Sequence, residues 1–497
     1  MNASITHRLV KGTAWLSLAR LFVNALSVLS TFALARLLAP SDFGLVALGT
    51  TMMMVLTDVT ELSLAQALVR HANPQRAHFD TAWTLNALRG SLLGALFALA
   101  SWPAARLYGD ERLAGIMLAL GASIVLSGLT NPRRVLLTRQ LIFRQEFVLD
   151  VGQKLAGVLA SVTVAWLTQS YWALVVGILA TQASNVALSY LVLPYLPRPR
   201  LAHARELLSF SIWLSAVQLV NTLNWRFDAL FVGKFLGSTA LGHYTMGSTL
   251  ASIPTRETTG PLRQTFFPAF ASMREDMPRL TAAYQRAQAV VTAVALPAGV
   301  GAALVADPLV RLAMGEKWVP AIAIVQALAA VYALQTLGSS ADALGMALGR
   351  TRLLFWRSLQ MLLIRVPLIV AAMLLYGLPG LIAARVCTGL VATAVNMLVV
   401  RQLIGLSLRA QLQANRRALL ACGAMVAAAL AAALPFAPST EARQLALQAA
   451  AMGTAAALGY FGATALLWHG ARRPPGPEQE LQRLLQQLRG KLRARPA

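Results

Sequence analysis

Charged residues are scarce in this chain, and acidic residues are the scarcest of them. Of 497 residues, 12% are charged and only 19 are Asp or Glu, whereas 57% are hydrophobic. A soluble globule of this length needs more polar surface than these side chains supply. The composition therefore excludes a soluble globular protein and indicates a chain surrounded mainly by lipid.

Cysteine is also scarce, and the signatures of catalysis are missing. The two cysteines, Cys387 and Cys422, lie in apolar runs, which excludes a disulfide framework and a cysteine-rich metal site. The six histidines show no metal-ligand spacing, and no nucleophile elbow is present. The predicted periplasmic connections are too short to form a catalytic surface. We predict a protein that is not an enzyme and binds no cofactor, with coupling to a proton or sodium gradient left open.

Long apolar runs are what the chain has in abundance. Each is about twenty residues, the length at which an α-helix crosses a hydrocarbon core of about 30 Å. None shows the alternation of an outer-membrane barrel strand, and the N-terminus lacks a signal-peptide cleavage pattern. The sequence therefore predicts an all-α integral membrane protein with about fourteen transmembrane helices. The predicted helices cover residues 12–38, 43–68, 81–104, 113–137, 148–168, 171–194, 207–234, 240–264, 286–306, 318–341, 353–376, 379–401, 416–436 and 444–468.

The basic residues indicate how these helices are oriented. The net charge of +24 is concentrated at both ends of the chain and in alternate connections between predicted spans. By the positive-inside rule, both termini are predicted to be cytoplasmic in a bacterial inner membrane, which agrees with an even number of spans. Because this distribution accounts for the basic excess, we predict no nucleic-acid binding.

An internal repeat links the two halves of the sequence. Trp15-Leu16-Ser17 recurs as Trp213-Leu214-Ser215, an offset of 198 residues. The same offset aligns Leu21 with Leu219, Leu38 with Leu236, Gly44 with Gly242, Gly49 with Gly247 and Thr51 with Thr249. Chance similarity between two apolar hairpins is the alternative.

If the repeat is real, both copies have the same orientation, because six helices return the chain to its starting side. This predicts two pseudo-symmetric six-helix lobes, an N-terminal lobe at 1–200 and a C-terminal lobe at 201–410. Helices 13 and 14 follow at 411–470. Residues 471–497 are predicted to form a basic amphipathic cytoplasmic tail on the membrane surface.

Polar residues form a stripe along predicted helix 8. Its members recur at steps of three or four residues, the spacing of one helix face: Thr245, Ser248, Ser252, Arg256, Thr259 and Arg263. The repeat offset places Arg256 on Asp58 and Thr259 on Glu61. A charge at the centre of a lone span costs about 2.5–3.5 kcal/mol, so we expect these side chains to face a hydrated lumen.

Arginine is suited to binding phosphate or pyrophosphate, because its planar guanidinium donates paired hydrogen bonds and stays charged. The predicted anion-binding residues are Arg20, Arg226, Arg256, Arg263 and Arg365, with Ser252 and Thr259. The acids Asp58, Glu61, Asp228 and Glu257 are either counter-ions to these arginines or carriers of a coupling ion. Arg36, Lys154 and Arg385 lie near predicted span ends, where we expect them to extend to the membrane surface.

One segment resembles a known family. The stretch NWRFDALFVGKFLGSTALGHYTMGSTLASIP at 224–254, followed by FFPAFASM at 266–273, resembles the Wzx-type polysaccharide-transporter flippases. Their superfamily also contains lipid II flippases and multidrug exporters. The likeness covers residues 8 to about 405. The matching positions are Asp228, Gly233, Gly237, Gly242, Tyr244, Pro254 and Pro268, the last in a Phe-rich turn.

The resemblance implies a two-lobed bundle that carries an undecaprenyl-pyrophosphate-linked oligosaccharide to the periplasmic leaflet by alternating access. Implied partners are this lipid-linked oligosaccharide, membrane lipids, and polysaccharide polymerase and chain-length machinery. The alternatives within the transporter class are a lipid II flippase and a drug–cation antiporter of the same superfamily. The alternatives from other classes, a membrane glycan polymerase or ligase and a non-transporting scaffold, are less favoured.

Overall fold

The computed structural model describes residues 22–61, 64–71, 74–140, 142–204, 212–436, 440–472, 476 and 478–479. Within these ranges the regular elements are helices. In chain order they are α1 (Phe22–Leu37), α2 (Pro40–Val59), α3 (Leu64–Arg70), α4 (Arg76–Leu99), α5 (Ser101–Tyr108), α6 (Arg112–Gly128), α7 (Arg134–Arg139), α8 (Phe143–Thr168), α9 (Trp172–Val192), α10 (Ile212–Phe235), α11 (Gly237–Ala271), α12 (Met277–Leu304), α13 (Ala306–Met314), α14 (Val319–Gln335), α15 (Ala341–Ala347), α16 (Thr351–Ile404), α17 (Leu408–Ala433) and α18 (Ala442–Gly470).

The predicted spans all have counterparts among these helices. In the described part of the chain, nine helical segments are long and apolar enough to cross a membrane, and α1 and α6 are shorter apolar helices. α16 covers two predicted spans, 353–376 and 379–401. Gly377 interrupts the helix between them with φ 62° and ψ −142°, a conformation open essentially to glycine alone. α10 and α11 correspond to the predicted spans 207–234 and 240–264. The all-α membrane class is confirmed, and fourteen spans fit these helices.

Two predicted helices are too long, at 43–68 and 113–137. α2 ends at Val59, where the hydroxyl of Thr60 bonds back to the carbonyl of Leu56. α6 ends at Gly128, and Pro132 in the following turn has no N–H to continue a helix. Polar residues occur at both breaks, Thr60 and Glu61 after α2 and Thr130 and Asn131 after α6, but apolar residues resume beyond them, so a hydropathy average does not mark the breaks.

The chain divides into two compact units, 1–245 and 246–497. In the first unit, α10 packs against α2, α8 against α9, and α4 against α6. In the second unit, α12 packs against α14 and α17, and α17 packs against α18. The predicted lobe boundary near residue 200 rests on the repeat rather than on contacts, and it stays a prediction. The tail predicted at 471–497 lies almost entirely outside the described residues.

The order of elements supports the internal repeat. The series α4 to α9, with a short helix after each of its first two long helices, recurs as α12 to α15 followed by the two halves of α16. α1 ends at Leu37 and α10 ends at Phe235, which are 198 residues apart. The repeat therefore extends beyond the two hairpins in which the sequence first indicates it.

α2 and α11 are in direct backbone contact near their first residues. A Cβ atom added to Gly44 would lie 1.8 Å from the carbonyl oxygen of Ser238, and one added to Gly242 would lie 1.8 Å from that of Pro40. The contact is reciprocal under the repeat, because Pro40 and Ser238 are also 198 residues apart. Paired contacts of this kind are what two-fold symmetry produces. Both positions therefore require glycine.

This contact predicts that two Gly→Ala substitutions will have opposite effects. At Gly44, the new methyl group meets a backbone oxygen, so we expect the free energy of unfolding to fall by about 1–3 kcal/mol. Gly453 in α18 has open space around it. There, Gly453→Ala should raise stability by up to about 1 kcal/mol through helix propensity. Thermal unfolding of the purified variants in detergent measures both effects, and equal shifts would contradict the contact.

Candidate functional site

Asp58 lies one residue before the end of α2 and faces α10. Its Oδ2 accepts a hydrogen bond of 2.8 Å from the hydroxyl of Thr222. The side chain is half-buried within the first compact unit. A hydroxyl partner and packing against a second helix provide the polar surroundings that an acid inside a span requires.

Glu61 follows α2 and is paired with an arginine. Arg89 Nη2 lies 3.4 Å from Glu61 Oε2 and donates to the carbonyl of Thr57 at 2.5 Å. The Arg89 guanidinium also bonds to the hydroxyl of Thr60. Arg89 thus binds the C-terminal end of α2, where its positive charge complements the helix dipole and the free carbonyls.

Asp228 and Tyr244 are hydrogen-bonded to each other. Asp228, about two turns before the end of α10, is 2% exposed, and its Oδ2 accepts a bond of 2.6 Å from the hydroxyl of Tyr244, about two turns after the start of α11. The chain reverses between them at Gly237, whose φ is 84°. Gly233 lets α10 pack closely, since a Cβ there would lie 3.1 Å from side-chain atoms of Leu48 and Leu241.

The family resemblance singles out both Asp228 and Tyr244, but no sequence pattern indicates that they bond to each other. Their similar distances from the turn that joins two consecutive helices are the only signal for the contact. Arg226, two residues before Asp228, is exposed. The two side chains therefore diverge, as their spacing on a helix predicts.

The polar stripe of α11 is divided between exposed and buried side chains. Arg256 is 68% exposed, and its Nε donates to Oε1 of the adjacent Glu257 at 3.2 Å. Thr259, one turn later, is buried, and its hydroxyl bonds to the carbonyl of Thr255. The hydroxyl of Ser252 bonds to the carbonyl of Thr249. Arg256 is therefore the accessible cation among these described members of the stripe.

Other predicted site residues are placed as follows. Arg365 is half-buried in the first half of α16. Arg20 lies outside the described residues, and so does the side chain of Arg263. Pro254 and Pro268 both lie within α11, so the segment predicted as a Phe-rich turn is helical. There Phe266 stacks on Phe270, which packs against Tyr284 of α12. Convergence of the arginines on one lumen stays a prediction.

Arg385 does not extend to the membrane surface as expected. It is 3% exposed within the second unit, and its Nη2 donates to the hydroxyl of Tyr332 at 2.9 Å. The expectation is wrong because Tyr332 on α14 offers a polar partner inside the bundle. Sequence position alone does not reveal such a partner.

Sequence reasoning also missed a charge cluster in the first unit. Arg134 Nη2 bonds to Glu146 at 2.8 Å and to Asp150 at 2.6 Å, and its Nη1 bonds to Asn185 at 3.1 Å. Burial lowers the pKa of Arg134, but the two carboxylates outweigh it, and the net shift is upward. Glu146 and Asp150 are one helical turn apart in a basic segment, which is the available signal. No grouping of three or more potential metal ligands occurs among the described residues.

Comparison with known proteins defines the class of this fold. The solved structure described as "Lipid II flippase MurJ, inward closed conformation" is similar at a TM-score of 0.73 and 13% identity, covering 92% of this chain and 99% of that one. At this identity the likeness establishes the fold alone. The chain has the fold of the superfamily that contains lipid II flippases and multidrug exporters.

The sequence comparisons establish the family. The family described as "Polysaccharide biosynthesis protein" matches residues 33–323, and the chain belongs to it. The lipopolysaccharide biosynthesis protein WzxC of Escherichia coli (strain K12) is 23% identical over 415 residues, covering 82% of this chain and 84% of WzxC. The succinoglycan biosynthesis transport protein ExoT of Rhizobium meliloti (strain 1021) is 25% identical over 353 residues, covering 70% and 71%.

The bond between Asp228 and Tyr244 predicts a stability effect. Tyr244→Phe removes the donor to a buried carboxylate, so the free energy of unfolding should fall by about 1–3 kcal/mol. Tyr376→Phe is the matched control, because Tyr376 is exposed and should shift stability little. In a double-mutant cycle measured by thermal unfolding, Asp228→Asn and Tyr244→Phe should be non-additive. Strict additivity would show that the two side chains are not coupled.

Proposed function

We propose that this chain is a flippase for an undecaprenyl-pyrophosphate-linked oligosaccharide. It moves the cargo by alternating access from the cytoplasmic to the periplasmic leaflet of a bacterial inner membrane, for synthesis of O-antigen, exopolysaccharide or capsule. Both termini are cytoplasmic in this proposal, as the distribution of basic residues predicts. Membership of the polysaccharide biosynthesis family over residues 33–323 is the observation that carries it.

In this proposal, guanidinium groups bind the pyrophosphate. Arg256 is the best placed of the described candidates, because its side chain is exposed and its ion pair with the adjacent Glu257 lies at the protein surface. Such pairs contribute roughly 0–1 kcal/mol, so a pyrophosphate can displace the carboxylate at little cost. Arg20, Arg226, Arg263 and Arg365 would complete the anion-binding surface. The sugars would occupy a hydrated path, and the prenyl chain would stay in lipid.

The four acids divide into two kinds in this proposal. Glu61 and Glu257 each have an arginine partner, which supports a role as counter-ions. Asp58 accepts a hydrogen bond from the neutral hydroxyl of Thr222, a setting in which a carboxylate can exchange a proton or a sodium ion. Any coupling to an ion gradient is therefore assigned to Asp58, and for Asp228 both roles stay as alternatives.

A lipid II flippase is the second candidate, favoured by the fold likeness to MurJ. Both cargoes share a polyprenyl carrier and a pyrophosphate, so the residues described here do not distinguish them. The names of the sequence relatives favour export of a polysaccharide unit. Polymerase and chain-length proteins are the proposed downstream partners, since they would consume the exported unit.

Depleting the protein in its host should cause one undecaprenyl-linked oligosaccharide to accumulate in the cytoplasmic leaflet. The expectation follows because the cargo continues to be synthesised while its exit is blocked. Mass spectrometry of extracted lipids identifies the glycan. Accumulation of lipid II would establish the second candidate instead, and accumulation of neither lipid would contradict a flippase.

Arg256→Ala should abolish glycan export while membrane insertion and abundance are unchanged, because it removes the proposed pyrophosphate ligand. Arg274→Ala is a closely matched control. Arg274 is 64% exposed and lies 3.8 Å from the adjacent Glu275, so it repeats the Arg256–Glu257 arrangement outside the polar stripe. Export is measured by surface glycan and abundance by immunoblot. Normal export by the Arg256→Ala strain would refute the assignment.

A further inference from the structure

The connection that follows α9 is fixed to neighbouring helices although it has no regular secondary structure. We call residues 193–204 the basic strap. Asn131, just after α6, donates to the carbonyl of Leu193 at 2.7 Å. The backbone N–H of Arg198 donates to Asp80 at 3.3 Å, and that of Arg200 donates to Thr84 at 3.0 Å, both on α4. The strap is therefore bound through its backbone, which leaves its arginine side chains available.

Side chains on the inner face of the strap strengthen this attachment. The Tyr195 hydroxyl donates to the buried Asp80 carboxylate at 2.5 Å. Burial, and then the bond to Asp80, raise the pKa of Tyr195, so the hydroxyl remains a donor at neutral pH. The ring of His203 stacks on that of His78 with centroids 3.9 Å apart. Both ends of the strap are thus anchored to α4.

The outer face of the strap is basic and apolar. Arg198 and Arg200 are exposed, and so is the nearby Arg76 on α4. Leu196 is 76% exposed, and Leu201 is also exposed. The acid in contact with the strap, Asp80, is buried beneath it and pairs with Arg76 at 3.9 Å, so the positive charge of this face comes from Arg198 and Arg200.

The strap also lies at the level where a membrane surface is expected. It contacts the start of α4 and the residues that follow α6, and it continues directly from the end of α9. α4 and α9 are long and apolar enough to span a membrane, so their ends mark the border of the hydrocarbon region. Basic side chains beside exposed leucines at this border are suited to binding phosphate headgroups with the leucines in the acyl region.

We propose that the basic strap binds the phosphate headgroup of an anionic phospholipid, with Arg198 and Arg200 as its ligands. Bulk lipid surrounds this level of the protein at all times, whereas a transported cargo reaches it only during turnover. The inference therefore does not depend on which cargo the protein carries. The bound lipid would hold the basic strap at the membrane surface.

Native mass spectrometry of the full chain in detergent tests this proposal, with phosphatidylglycerol and phosphatidylcholine as probes. The variant Arg198→Gln/Arg200→Gln keeps the anchoring backbone bonds and removes two charges. Each basic side chain near an anionic surface strengthens binding about fivefold, so binding of phosphatidylglycerol should weaken by about twenty-five-fold. Arg198→Lys/Arg200→Lys should retain most of the binding, and thermal unfolding of each variant shows whether it is folded.

The matched control is Arg401→Gln/Arg409→Gln, which removes two exposed arginines from the same predicted side of the membrane. It should bind phosphatidylglycerol as the unmodified chain does. Equal binding by both Gln variants, or equal weakening of both, would overturn the site. A third arm uses undecaprenyl pyrophosphate. If binding of that lipid alone depends on Arg198 and Arg200, the site belongs to a polyprenyl cargo and the phospholipid proposal fails.

Discussion

The contact between the backbones of α2 and α11 is the constraint on which the arrangement around the polar residues depends. Gly44 and Gly242 each meet a carbonyl oxygen of the opposite helix, so neither helix can shift without a clash or a gap. α10 packs on α2 and leads directly into α11. Once α2 and α11 are in register, Asp58 lies opposite Thr222, and the turn between α10 and α11 brings Asp228 to Tyr244. Because Gly44 and Gly242 have no side chain, the two helices approach closely, and this approach determines where Asp58 and Asp228 lie.

The partners of the polar residues distinguish structure from candidate function. Arg385 is buried and bonded to Tyr332, and Arg134 is held by two carboxylates and an amide, so removing either arginine would leave polar groups uncompensated. Arg256 has the opposite character, because it is exposed and its partner is the adjacent residue. A ligand-binding group must be able to exchange its partner, and Arg256 meets that condition while the buried Arg385 and the half-buried Arg134 do not.

Much of this architecture could be predicted from the sequence, because hydropathy and the 198-residue offset depend only on which residue stands at each position. The spans follow from apolar runs, and the offset pairs Gly44 with Gly242. Their contact was not predictable, since equivalent positions in a repeat need not touch. The break after Val59 was missed because apolar residues resume a few positions beyond Glu61, so a hydropathy average runs across it. The partner of Arg385 depends on which helices pack together, and an unaligned sequence does not specify that packing.

The basic excess of the chain has more than one physical meaning. In the sequence it is an orientation signal, since cationic residues are retained on the cytoplasmic side. In the structure, three settings of the same residue type contrast: buried and bonded within the bundle at Arg385, exposed on the polar face of a helix at Arg256, and exposed beside leucines at the ends of spans at Arg198. Only the second setting suits a transported anion, because the first is inaccessible and the third lies at the lipid surface. A net charge of +24 therefore says little about cargo until each arginine is assigned its surroundings.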